Sequence, residues 1–214
     1  MKYRSLGNTG LRVSEIGLGC EGFVGKSDVF TGKLLNRAIE CGVNIMDLYS
    51  PEPKLRSAVG KALEGRREKF ILESHLCAIW KNGQYKASRD IREVRPAFED
   101  MLERYRTDYI DIGMIHYVDS VETWDKIAEG DIMKFALEMK KAGKIRHIGL
   151  SSHNPKVALK AVRSGLIEVL LFSINPCYDL QPAGEDVEEL WADKNYEKNL
   201  INMDPDRENF TRHV

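Results

Sequence analysis

Hydrophobic residues along this chain alternate between two spacings. Short apolar runs recur at Glu15 to Gly19, Asn44 to Tyr49, Phe70 to Cys77, Tyr109 to His116, Ile145 to Ser151 and Val169 to Asn175. Their lengths suit strands buried on both faces. The stretches between them carry helical spacing instead. Leu34, Leu35, Ala38 and Ile39 form one apolar face, Leu55, Val59, Ala62 and Leu63 a second, and Ile91, Val94, Phe98, Leu102 and Tyr105 a third. Gly42, Gly143 and Gly165 stand where helices end, as left-handed caps do. Ahead of this series, Gly7-Asn8-Thr9-Gly10 separates two short segments and predicts a hairpin.

Strictly alternating strands and helices imply parallel strands joined by right-handed crossovers. Two architectures satisfy that order: an open doubly wound sheet and a closed barrel. The doubly wound fold calls for G-x-G-x-x-G after its first strand. Gly17-Leu18-Gly19-Cys20-Glu21-Gly22 has that glycine spacing, but no well-patterned helix starts there. The expected fold is therefore α/β, an incomplete TIM (β/α)8 barrel of about six parallel strands with an N-terminal β-hairpin. All 214 residues are read as one truncated domain. A complete barrel takes about 250 residues, and open barrel edges predict self-association.

Composition narrows the partners. With 32 basic and 33 acidic residues the formal net charge is -1, which provides no footprint for nucleic acid or an anionic membrane. No apolar run is long enough to span a bilayer, and the opening residues do not form a signal peptide, so a cytoplasmic location is expected. Cys20, Cys41, Cys77 and Cys177 are scattered without a C-x-x-C pair. They read as small buried apolar residues in a reducing compartment.

In such barrels the chemistry gathers at the carboxyl ends of the strands. Asp47 ends the second strand, Ser74-His75 the third, His116 the fourth and Ser151-Ser152-His153 the fifth. A single polar strand end is ordinarily a satisfied structural group. Several converging on one mouth point to a site, because burying that much polarity is costly without a role. Trp80 and Tyr85 lie in what reads as a loop after the third strand, where packing under the loop competes with lining a substrate pocket.

Three segments carry a family resemblance. Tyr3 to Gly19 is similar to the N-terminal hairpin and first strand of the aldo-keto reductases, and Thr107-Asp108-Tyr109-Ile110-Asp111 with Ile115-His116 resembles their fourth strand. Gly143-Lys144-Ile145-Arg146-His147-Ile148-Gly149-Leu150-Ser151 resembles the fifth. Within the family the likeness is to a branch whose longer members carry a ferredoxin-like, cysteine-rich tail. The resemblance implies NAD(P)H-dependent reduction of an aldehyde or ketone, with NADP or NAD as cofactor and a small carbonyl substrate.

It also implies a residue set in which a tyrosine gives a proton, an aspartate-paired lysine lowers its pKa and a histidine orients the substrate oxygen. Asp47 and His116 match the aspartate and the histidine. The helix landmark Val59-Gly60-Lys61-Ala62-Leu63 places Glu52 at the tyrosine position, with Tyr49 as the nearest substitute, and His75 stands at the lysine position. Ser151 and Ser152 match a serine-asparagine pair that contacts the cofactor carboxamide, and Asn175 matches a glutamine with the same role. These departures, with the last two barrel units missing, predict weak cofactor binding and an impaired or non-catalytic, oligomeric product. They also allow a different site, in which Asp47, Glu52, His75 and His116 form a two-histidine, two-carboxylate metal cluster.

Overall fold

The structure is a computed structural model that describes residues 1–174. Asn175 and Cys177 lie outside the described residues. The chain opens with β1 (Tyr3–Ser5) and β2 (Arg12–Ser14), paired antiparallel as the hairpin predicts. Strands β3 (Leu18–Gly19), β4 (Ile45–Leu48), β5 (Ile71–His75), β8 (Ile110–Ile115), β9 (Ile145–Ser152) and β10 (Val169–Phe172) then form one parallel sheet in the order β10-β9-β8-β5-β4-β3. The connections run through α1 (Asp28–Glu40), α2 (Pro53–Leu63), α3 (Ile91–Tyr105), the pair α4 (Val121–Glu129) and α5 (Asp131–Lys141), and α6 (Pro155–Ser164). Among the described residues no helix is long and apolar enough to cross a membrane.

Two local expectations need correction. The first barrel strand is far shorter than Glu15 to Gly19, because the Glu15 amide donates to the Lys2 carbonyl and keeps that residue with the hairpin. The segment after β5 is an antiparallel hairpin rather than a loop, formed by β6 (Ala78–Lys81) and β7 (Gln84–Ala87). Asn82 and Gly83 at its tip both have positive φ, 53° and 79°, as a two-residue primed turn requires. A third correction concerns the thiols: Cys20 and Cys77 are buried, but Cys41 is exposed at the end of α1.

The pleat divides the apolar residues between two layers. Met46, Leu48, Leu72, Ile115 and Leu150 face the helices and join the main core with Leu35, Val59, Phe98 and Phe135. Ile45, Ile71, Ile112, Met114 and Val169 form a separate inner cluster. Strands β4 and β10 stand four places apart, about 19 Å in a flat sheet, yet Ile45 and Val169 belong to this one cluster. The sheet is therefore curled as a barrel wall. Leu6 and Leu11 of the hairpin pack against the same cluster and floor it.

At the amino-terminal end of the strands, buried Asp111 accepts from Arg67 Nη2 at 2.7 Å, Arg146 Nη1 at 2.9 Å and the Leu72 amide at 2.9 Å. Both guanidiniums lie over the Tyr109 ring, at 4.6 and 3.9 Å from its centroid. One carboxylate thus ties together the starts of β5, β8 and β9.

Helices α2 and α3 meet at Gly60, where a Cβ would stand 2.1 Å from the Arg104 carbonyl oxygen. Alanine there would gain about 1 kcal/mol of helix propensity. The overlap is with backbone, which cannot step aside, so the upper part of the roughly 1–3 kcal/mol overpacking range applies. Gly60→Ala is expected to destabilise the fold by about 1–2 kcal/mol, read as a lower urea midpoint at constant m-value. An unchanged midpoint would show that the two helices separate freely.

Candidate active site at the carboxyl ends of the strands

Pleat parity sets which side chains reach the mouth. Asp47 follows Ile45 on the inner face of β4, Glu73 and His75 follow Ile71 on β5, and His116 follows Ile112 and Met114 from β8. The register pairs Asp47 with Glu73 and His75 with Met114, so the two strands bring these groups level. His75 Nε2 lies 3.1 Å from Asp47 Oδ1, and His75 Nδ1 lies 2.6 Å from His116 Nδ1. Asp47, His75 and His116, expected from sequence to meet, do meet.

The line continues into the β6–β7 hairpin. The Tyr85 hydroxyl sits 2.6 Å from His116 Nε2, completing a chain of hydrogen bonds Asp47–His75–His116–Tyr85. Both rings are buried, at 2% and 6% exposure. Burial above all, and then the neighbouring charges of His75, Arg89 and His153, push the His116 pKa down to about 2, so it is neutral at neutral pH. With one proton on each ring, the Asp47 carboxylate accepts from His75 Nε2–H, His75 Nδ1 accepts from His116 Nδ1–H, and His116 Nε2 accepts from the Tyr85 hydroxyl. A single carboxylate thereby fixes the tautomer of both imidazoles.

The other sequence candidates fall elsewhere. Tyr49 borders the site, its ring parallel to His116 at a centroid distance of 5.9 Å. Its hydroxyl, however, donates to Glu21 Oε1 at 3.0 Å, and burial followed by that acceptor pushes its pKa up to about 12. Glu52 immediately precedes α2, with its amide donating to Ser50 Oγ and its carbonyl accepting from Arg56. Among the described residues no hydrogen bond joins its carboxyl to Asp47, His75 or His116, and Oε2 is buried without a partner. Neither residue occupies the proton-bearing position that sequence spacing suggested for it.

Glu73 was not anticipated. It is 5% exposed, its Oε1 has no hydrogen-bond partner, and burial followed by the Asp47 charge pushes its pKa up to about 8. Asp47, Glu73 and His75 each offer a ligand atom within 4.8 Å of the others. Of the four residues that the sequence allows for a metal cluster, Asp47 and His75 are grouped here, together with Glu73; Glu52 is not in the group, and the His116 nitrogens face His75 and Tyr85. Parity was the available signal, since residue 73 shares an inner face with residue 75.

Around the rim, Arg89 reaches the carbonyls of His116 and Tyr117, and Tyr117 holds a left-handed φ of 52°. Asp119 accepts from the His153 amide at 2.6 Å, His153 Nδ1 at 3.0 Å and Ser152 Oγ at 3.2 Å. Burial opposes its ionisation, but the His153 hydrogen bonds outweigh burial and hold its carboxyl below the ordinary range. The Ser152 hydroxyl is thus committed to this turn. The buried Ser151 hydroxyl has no hydrogen bond among the described residues and remains able to donate and accept.

The profile of the Aldo/keto reductase family matches residues 15–198. The uncharacterized oxidoreductase YqkF of Bacillus subtilis (strain 168) is 30% identical over 188 residues, covering 85% of this chain and 58% of the relative. Aldo-keto reductase YhdN of the same organism is 32% identical over 161 residues, 71% of this chain and 47% of the relative. Among solved structures, the holo form of aldo-keto reductase AKR11C1 from Bacillus halodurans superposes with a TM-score of 0.72 at 29% identity, covering 82% of this chain and 58% of that one. The chain spans about half the length of the curated relatives it matches. With its curled parallel sheet, its floor hairpin and this match, the chain belongs to the aldo/keto reductase family.

Proposed function

We propose that this chain provides the catalytic mouth of an NAD(P)H-dependent oxidoreductase acting on a small aldehyde or ketone, with Tyr85 exchanging the proton. The observation that carries this reading is the continuous hydrogen-bond line from Asp47 to Tyr85. Both ring nitrogens of His116 are engaged, so it has no free position for a substrate oxygen. Tyr85, 43% exposed, is the most exposed member of the line.

The nicotinamide, when bound, supplies the hydride. Ser151 fits it best among the described residues, because one uncommitted hydroxyl can both donate to and accept from a carboxamide. Ser152 would hold the turn behind it through Asp119. Asn175, the third residue assigned to cofactor contact, lies outside the described residues.

The protein's own task is proton delivery. The Tyr85 hydroxyl releases its hydrogen bond to His116 Nε2 and donates to the nascent alkoxide, and the exposed phenolate then takes a proton back from solvent. Asp47 acts through His75 as a positioning residue. Such a donor contributes about 10²–10⁴-fold.

Tyr85→Phe is therefore expected to lower kcat by about 10²–10⁴-fold with the circular dichroism spectrum unchanged. Tyr49→Phe, whose hydroxyl serves Glu21, should stay within a few-fold of the parent. The assay follows nicotinamide absorbance against a panel of aldehydes and ketones. Equal losses in the two variants, or no cofactor-dependent turnover by the parent, would defeat the reading.

Asp47→Asn keeps the shape but removes the negative charge that accepts from His75 Nε2–H at the end of the line. We expect kcat to fall by about 10²-fold or more while KM changes little. A change confined to KM would mean that Asp47 helps bind substrate instead.

A further inference from the structure

We propose that Asp47, Glu73 and His75 form a binding site for one divalent transition cation of the zinc class, which adds a positive charge at the inner end of the hydrogen-bond line. Three donors of suitable chemistry already lie within 4.8 Å of one another: two carboxylate oxygens and an imidazole nitrogen. Glu73 gives an independent pointer to a ligand. It is 95% shielded from solvent, it sits on the inner face level with Asp47, and its Oε1 has no hydrogen-bond partner. Leaving such an oxygen unsatisfied costs about 1–3 kcal/mol, and a cation would satisfy it.

The geometry needs little adjustment. Zinc holds oxygen and nitrogen ligands at about 2.0–2.2 Å, so tetrahedral neighbours stand about 3.4 Å apart. Asp47 Oδ1 and His75 Nε2 are already 3.1 Å apart. Only the Glu73 carboxyl has to close in, releasing its proton to solvent as the cation binds. Three protein ligands leave a fourth position open, and the mixed nitrogen and oxygen set favours first-row divalent ions over calcium or magnesium. Glu52 and His116 play no part in coordination.

Occupancy would have a consequence along the line. A cation on His75 Nε2 leaves the ring proton on Nδ1, which then donates to His116 Nδ1, and His116 in turn donates from Nε2 to the Tyr85 oxygen. The Tyr85 hydrogen then no longer points at His116 Nε2. The cation stands where the family resemblance places a lysine ammonium, a charge that a histidine alone does not keep at neutral pH. This last role rests on the reductase reading, whereas occupancy of the site does not.

The test loads purified full chain with Zn2+, dialyses it, and measures metal by mass spectrometry and affinity by calorimetry. One ion per chain is expected, with affinity reduced roughly 10–100-fold or more in Glu73→Gln and in His75→Gln, and little changed in Glu52→Gln. Circular dichroism checks that each variant is folded, and the parent titration stands without them. Nitrogen NMR of histidine-labelled parent should show the His116 proton moving from Nδ1 to Nε2 on loading. Occupancy near zero, or an equal loss from Glu52→Gln, would overturn the site, and an unmoved His116 proton would overturn the charge role. Failure to turn over carbonyl substrates counts against the reductase reading alone, because occupancy and tautomer are read without substrate.

Discussion

The two-residue pleat of β4, β5 and β8 is the constraint on which the mouth depends. In the observed register, Asp47, Glu73, His75 and His116 face inward, while Leu48 and Ser74 face the helices. Ser74 confirms the outer side: its hydroxyl donates to the Leu48 carbonyl and lies 3.0 Å from the Tyr105 hydroxyl of α3. A slip of one residue on β5 would exchange these sets, sending His75 into the apolar layer and Ser74 into the cavity. The main core resists that slip, because Leu72 would leave it at the same time.

Electrostatics explains why the buried groups take the protonation states they do. A charged imidazole or carboxylate in this interior is penalised unless paired. His116 meets the penalty by staying neutral and filling both ring nitrogens, and Glu73 meets it by holding its proton at neutral pH. Cys20, pushed up to about 12 by burial and then by the Asp47 charge, stays an inert thiol beside them. Asp47, its side chain 32% exposed, lies at the end of the line.

Much of this was legible in the residues. The strand and helix series, the floor hairpin and the meeting of Asp47, His75 and His116 all follow from spacing and from polar residues at strand ends. Other features needed three dimensions. Tyr85 was hidden because its contact with His116 spans 31 positions, although Asn82-Gly83 between short β-prone segments is a strong hairpin signal that would have lifted it out of a loop. Glu52 and Tyr49 were placed by position along the chain, which cannot show that one borders α2 or that the other's hydroxyl turns to Glu21. Glu73 sits mid-strand, where strand-end reasoning does not look.

The Asp111 hub has a separate meaning. It and His116 stand on the same strand and its exit, five positions apart, roughly 16 Å at strand rise, and the odd spacing turns them to opposite faces of the pleat. One strand thus fastens its neighbours at its start and arms the cavity at its exit, with different residues for each task.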